Sequence, residues 1–288
     1  DFIMENSAVL PQRAVQTYVR RNKNGTIKVG AINKSSVVLK ILVGALLLLT
    51  VYAFWSFDYK EIQLGEAITA TLHNMKTVFL EPQLSTDTMQ NVLYQLLVTF
   101  CLGVLSTIFG AILAFFCALL CAKNLAPSAL ANTIKSLVAL VRAVPTVLWV
   151  LIFAVSAGLG SVAAVIGLTF HSFAYLTKVY AESIEEVDAG TLEALRASGA
   201  GFWQIVFQAI LPSSISRMVA WTFMRFEINF TNAVAMGAAA GAGGIGFQLF
   251  MAGSFYFNLY EMGFLTYVVV IAVVILEFCS TKIKASVK

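Results

Sequence analysis

Charge is what this sequence has least of. Asp, Glu, Lys and Arg make up 12% of the 288 residues, while hydrophobic residues make up 59%. A soluble domain carries about 25% charged residues, so a water-facing surface of ordinary size is excluded. The formal net charge is +4 and unevenly placed, which gives no reason to expect nucleic acid as a partner. Histidine is nearly absent, with His73 and His171 far apart, and Cys101, Cys117, Cys121 and Cys279 form no CxxC pair. A metal site is therefore not expected. Cys117 and Cys121 stand four apart in an apolar run and read as small buried hydrophobes. The sequence contains no GxxxxGK[ST] phosphate loop and no paired carboxylates or Ser/His/Asp set in a soluble setting, so it is not expected to be an enzyme or to hydrolyse ATP itself. Short alternating segments, the mark of a membrane β-barrel, are missing, as are internal repeats.

Long apolar runs fill the space. A bilayer core about 30 Å thick takes roughly 20 residues of helix, and about six runs are long enough: 37–57, 92–121, 134–157, 161–180, 212–238 and 264–278. Backbone groups in lipid must be satisfied within the segment, so the expected class is all-α, a polytopic membrane protein. The first run starts near Val37 after a polar tail, with no small-residue cleavage site following, and reads as a retained span. The organisation expected is a basic tail over 1–36, a first span and outer loop over 37–91, and a core over 92–288 containing a cytoplasmic segment at 182–212.

Basic residues orient the chain. Arg13, Arg20, Arg21, Lys23, Lys28 and Lys34 precede the first run, and Lys282, Lys284 and Lys288 follow the last. Both termini are expected in the cytoplasm. The loop over 58–91 holds Asp58, Glu61, Glu66, Glu81 and Asp87 against Lys60 and Lys76, which places it outside. Within it, Ile68, Leu72, Met75 and Phe79 recur at helical spacing. They suit either an amphipathic helix on the membrane surface or one packed against the spans.

The segment from Glu182 to Pro212 is a long polar-containing stretch between two runs. Glu182, Glu185, Glu186 and Asp188 make it locally acidic. Thr191 is placed to cap a short helix carrying Glu193 in its first turn, and Gly199 to end that helix in a left-handed cap. A second amphipathic stretch follows, with Phe202, Trp203, Val206 and Phe207 as its apolar side, and Pro212 opens the next span. The expected structure is helix, glycine turn, helix and membrane re-entry: a rigid elbow that could carry force from a soluble partner into the bilayer.

These residues carry a resemblance. Glu193, Ala194, Gly199, Leu211 and Pro212 fit the EAA-x3-G-x9-I-x-LP coupling signature of ABC importer permeases, with Leu195 in place of its second Ala and Ala209 in place of its Ile. RAVPT at 142–146, KVYAESIEEVDAGTLEALRASGA at 178–200, RFEIN at 225–229 and GAGGIG at 241–246 resemble phosphonate-type permeases, a likeness covering about 94–277. Phe230 and Thr231 depart from that pattern after RFEIN. The resemblance implies the type I importer permease fold in a prokaryotic plasma membrane. It further implies a pore made with a second copy of the chain, two cytoplasmic ATPase subunits that hold ATP and Mg, and an extracytoplasmic substrate-binding protein. The chain itself would bind no cofactor. Phosphonate or a related small phosphorus oxyanion is the implied cargo, with methionine or phosphite as alternatives. A channel or secondary transporter working without ATP is the alternative from another class; such transporters often show inverted repeats.

Candidate residues for the path or gate are Arg142, Pro145, Arg225, Glu227, Asn229, Gly241, Gly243, Gly244 and Gly246. A charge at the centre of a membrane helix costs about 2.5–3.5 kcal/mol on insertion scales, so Arg142, Arg225 and Glu227 need partners or water. Arg142 with Glu227 is the expected cross-helix pair. The arginines suit an anion path or a structural role in fixing helix register. Pro145 suggests a kink. GAGGIG matches GxGxxG, and Glu261 follows at nearly the dinucleotide-site spacing, but the neighbouring segments are helices, not a βαβ unit. The expectation is a flexible glycine loop on the outer side.

Overall fold

The computed structural model of the protein describes residues 20–21, 27–28, 34–57 and 63–286. The tail residues Arg13 and Lys23, the loop residues Asp58, Lys60 and Glu61, and Lys288 lie outside the described residues. The chain divides into two compact units, Asp1–Ala67 and Ile68–Lys288.

In the first unit, β1 (Arg20–Arg21) pairs antiparallel with β2 (Ile27–Lys28). The helix α1 (Lys34–Ser56) is apolar on every side, the pattern of a helix in lipid rather than one on a soluble core. Its apolar window, Val37–Ser56, is long enough to cross a bilayer.

Helix α2 (Leu64–Leu80) begins in the first unit and runs into the second. Its stripe of Ile68, Leu72, Met75 and Phe79 is exposed, while Thr77 is buried. The Tyr267 hydroxyl donates to the Phe79 carbonyl at 2.7 Å. The apolar stripe therefore does not make the packed face; the opposite side does.

The second unit is built on α3 (Met89–Cys121) and α6 (Ser161–Glu185), which pack along each other. Thr88 caps α3 by accepting from the Asn91 N–H, satisfying one of the free donors of a helix start. Both helices cross at small residues: a Cβ on Gly110 would meet Ser172 Cβ at 2.6 Å, so close approach there requires glycine. Between them in sequence lie α4 (Ser128–Ala143) and α5 (Thr146–Ala157). After α6 come α7 (Ala189–Ala197), the short α8 (Phe202–Ile205), a π turn over Val206–Ile210, and the long α9 (Leu211–Ala240). The unit closes with α10 (Gly244–Phe250), a second π turn over Met251–Phe255, and α11 (Leu259–Ser286).

The expected third span is not one rod. α4 and α5 meet at an angle of 85°, broken at Pro145. Proline lacks an N–H and clashes with the preceding turn, so the carbonyl of Val141 loses its helical donor. The Trp149 indole N–H supplies one at 3.0 Å. Among the described residues, four helices are long and apolar enough to cross a membrane, or up to six if each bent pair is one span. The expected fourth, fifth and sixth runs continue as helices past their apolar edges, to Glu185, Ala240 and Ser286. Polar residues past the fourth and sixth runs, such as Glu182 and Lys282, stay helical because the intrahelical bonds do not require an apolar side chain.

Candidate functional site

The segment from Glu182 to Pro212 forms an elbow at one end of the second unit. Asp188, not Thr191, caps α7: its carboxylate accepts from the Thr191 N–H at 2.8 Å and the Thr191 hydroxyl at 3.0 Å. The Thr191 N–H and hydroxyl hold the Asp188 carboxyl below the ordinary carboxylate range. Glu193 consequently falls one turn later than expected and is exposed. Gly199 ends the helix at φ +84°, and the Ala200 N–H returns to the Leu195 carbonyl at 3.0 Å, a closure that requires the left-handed region.

The elbow is held to the bundle from three sides. Arg196 donates to the Asn124 carbonyl at 2.6 Å, and the Asn124 side chain donates to the Ile184 carbonyl at 2.8 Å. Arg217 at the base of α9 pairs with Glu186 at 2.6 Å and donates to the Ser183 carbonyl at 2.9 Å. Lys135 pairs with Glu185 at 2.7 Å. Glu185 and Glu186 of the acidic cluster thus meet separate cations, while Asp188 caps α7. Leu192 is buried in one cluster with Ala122, Ile184 and Val206. Glu193 and Ala194 stay exposed on the outer face of α7.

Beyond Gly199 the burial differs from the expected pattern. Ile205, Val206, Ala209 and Ile210 are buried, while Phe202, Trp203 and Phe207 are exposed. The stretch is apolar on two sides, and the aliphatic side takes the core. Leu211 and Pro212 stand at the start of α9, with proline at a position where the missing N–H is tolerated.

Midway along α9, Arg225 is 2% exposed. Its Nε donates to Ser172 Oγ at 3.0 Å, an Nη lies 2.9 Å from His171 Nδ1, and its guanidinium sits 5.4 Å from the Tyr175 ring centre. Asn229, fully buried one turn on, donates to Thr107 Oγ1 at 2.8 Å and to Ser172 Oγ at 2.7 Å. Arg225 therefore carries a buried charge against hydroxyl, imidazole and ring partners, with no carboxylate beside it among the described residues. His171, Ser172, Tyr175 and Thr107 were not singled out from the sequence, although hydroxyls and an imidazole inside apolar runs are the available signal.

The expected pair of Arg142 with Glu227 does not form. Glu227 takes Lys284 of α11 at 3.0 Å, because α9 and α11 are neighbours and Arg142 lies at the far end of α4. Arg142 is exposed, without a hydrogen-bond or ion-pair partner among the described residues. Pro145 stands at the break described above.

The glycine stretch is a packed corner, which corrects the expectation of a flexible loop. Gly241 caps α9 at φ +59°, and Ser161 donates to the Ala242 carbonyl at 2.6 Å. The Gly244 and Ile245 N–H groups donate to Gln95 Oε1 and Thr99 Oγ1 at 3.1 and 2.9 Å. Gly244 and Gly246 are buried in the first turn of α10, and a Cβ on Gly246 would run into the Val234 carbonyl. A helix precedes the stretch and another follows, so its GxGxxG form has no dinucleotide context. Glu261 has a local task instead: it is 3% exposed and accepts from the Asp87 N–H at 2.8 Å.

Residues 110–284, more than half of the chain, match the family described as binding-protein-dependent transport system inner membrane component. The chain belongs to this family. The family region contains the elbow, Arg225 with His171, Ser172, Tyr175 and Asn229, and the glycines of the corner; Thr107, Gln95 and Thr99, which bond to them, precede it. Among characterised relatives, the phosphate-import permease protein PhnE of Mycolicibacterium smegmatis is 35% identical over 153 residues, covering 53% of this chain and 29% of that protein. The phosphite transport system permease protein PtxC of Stutzerimonas stutzeri is 34% identical over 152 residues, covering 52% of this chain and 55% of that protein. The chain thus matches about half or less of these relatives' length. A structure of the MetNI methionine ABC transporter in inward-facing conformations superposes with a TM-score of 0.63 at 24% identity, over 71% of this chain and all of that one. That likeness establishes the fold: an all-α, polytopic ABC-importer permease architecture.

Proposed function

We propose that this chain is the membrane-spanning subunit of an ATP-driven importer, and that two copies form the passage for a small phosphorus oxyanion. Family membership over 110–284 supports the class, and relatives named for phosphate and phosphite support the cargo. The observation that carries the mechanism is the elbow. α7 presents Glu193 and Ala194 outward, while Arg196 bonds Asn124 in the turn after α3 and Leu192 buries against Ile184 of α6 and Val206 ahead of α9; beside it the Glu186–Arg217 pair joins the end of α6 to α9. A soluble subunit that moves α7 must therefore move the ends of those helices together.

In this reading the elbow end lies in the cytoplasm of a prokaryote, both termini are cytoplasmic, and the glycine corner lies outside beside a substrate-binding protein. ATP and Mg belong to two partner ATPase subunits that dock on α7. In the same reading, hydrolysis belongs to those subunits. Arg225 and Asn229 stand one turn apart on the same face of α9, both bonded to Ser172 of α6; a buried guanidinium with no carboxylate beside it among the described residues suits an anion in transit, and Arg142, Pro145 and Glu227 belong to the same moving set.

Co-purification tests the class. An affinity-tagged chain expressed with its ATPase should retain that subunit, and Gly199→Val, which strains the φ +84° turn, should release it while the permease still folds. Equal retention by both forms would overturn the elbow's role.

A further inference from the structure

Three cations converge where no equal number of anions meets them. Lys135, Ala139 and Arg142 follow one another at helical spacing on α4, and with Thr177, Lys178 and Glu182 of α6 and Cys121 of α3 they line a cleft of about 220 Å³. The carboxylates nearby do not balance this charge evenly. Glu185 engages Lys135 at 2.7 Å. Glu182 stands 3.6 Å from Lys178, with both side chains about half exposed, a contact of little strength. Arg142, deeper along α4 from the elbow, has no partner among the described residues. His171, one and two turns before Tyr175 and Lys178 on α6, lies 2.9 Å from the buried Arg225.

We infer that this cleft seats a phosphorus oxyanion, held by Arg142 and Lys178 with Lys135 at its mouth. Like charges brought together repel, and a tetrahedral oxyanion between Arg142 and Lys178 relieves that repulsion. Guanidinium meets it with a planar fork of donors and ammonium with a point charge. A second donor points the same way. The Thr177 hydroxyl is fully buried, lines the cleft and has no oxygen or nitrogen partner; its polar neighbour is the Cys117 thiol, a weak acceptor. Two sources share this chemistry: the transported solute and the headgroup phosphate of an anionic phospholipid. The first source rests on the importer reading above.

Ala139 is exposed on the cleft wall, so Ala139→Cys in the full chain places a reporter there, with the unsubstituted chain as background. The sulfonate-bearing methanethiosulfonate should modify it at least about tenfold faster than the trimethylammonium-bearing one. High salt should shrink that preference, and Arg142→Gln or Lys178→Gln should remove it. Protection by millimolar methylphosphonate in phospholipid-free detergent identifies the solute as occupant. Protection by phosphatidylglycerol nanodiscs, without protection by methylphosphonate, identifies a headgroup. Equal rates for the two reagents with protection by neither ligand overturn the proposal. Should Ala139→Cys misfold, phosphorus NMR line broadening of methylphosphonate by the unsubstituted chain, compared with Lys178→Gln, decides the same question. These readouts are independent of uptake: their failure leaves the importer reading standing, and lost uptake with intact protection counts against the importer reading alone.

Discussion

The Trp149 indole nitrogen lies 3.0 Å from the Val141 carbonyl oxygen, and so replaces the backbone donor that Pro145 removes. The break between α4 and α5 is thereby a defined joint with its acceptor satisfied. Trp149→Phe should cost about 0.5–1.5 kcal/mol, the worth of such a bond, and lower the melting temperature in detergent by a few degrees. In a Pro145→Ala background residue 145 has its own N–H, so the same change should cost measurably less. A thermal double-mutant cycle reads this directly, and additive losses would count against the substitution of one donor by the other.

Glu227 and Lys284 join α9 to α11 at 3.0 Å with side chains about a quarter exposed. Lys284→Gln should lower the yield of folded protein by size exclusion, since it leaves a carboxylate beside apolar helices. Exchanging the two residues, Glu227→Lys with Lys284→Glu, should recover most of the loss. An exchange no better than the single change would show that the pair does not hold the helices together.

The Asp188 cap has a pH signature. Because its carboxyl titrates below the ordinary range when folded, the cap's contribution is complete above the unfolded value of about 3.9. It is lost as pH falls through the lower folded value. Asp188→Asn, which still accepts a hydrogen bond, should flatten the acid limb of α7 protection in hydrogen exchange. An acid limb unchanged by the substitution would assign it to other carboxylates.

At the glycine corner, Gly246→Ala should cost about 1–3 kcal/mol, because the added methyl meets the Val234 carbonyl. Gly201→Ala, where the nearest atom is Gln204 Oε1 at 3.6 Å, should change the melting temperature little. Equal melting temperatures for the two variants would mean that the corner is looser than the packing indicates.

Much of the helix layout was legible because lipid imposes a length on apolar runs, and α1, α3, α6 and α11 follow those runs. The elbow was legible from Gly199 and Pro212, whose backbone requirements are local. The angle at Pro145 was not, because a proline announces a break without its size. Nor was the partner of Glu227: composition places charges in spans but not which spans touch, and Lys284 lies 57 residues away. Phe202, Trp203 and Phe207 misled because the stretch is apolar on two faces. Which face is buried depends on α3 and α6, which the stretch itself does not encode. The glycines misled in the opposite way, since a residue that permits flexibility also permits the closest packing.

ATP-driven uptake tests the central claim most directly. The chain would be reconstituted in proteoliposomes with its ATPase and the substrate-binding protein, and labelled methylphosphonate, phosphite and methionine offered in turn. The account predicts accumulation of a phosphorus oxyanion that requires ATP and the binding protein, is not matched by methionine, and falls at least tenfold with Arg225→Gln while the complex still assembles. Accumulation without ATP, or of methionine in place of the oxyanions, would contradict it.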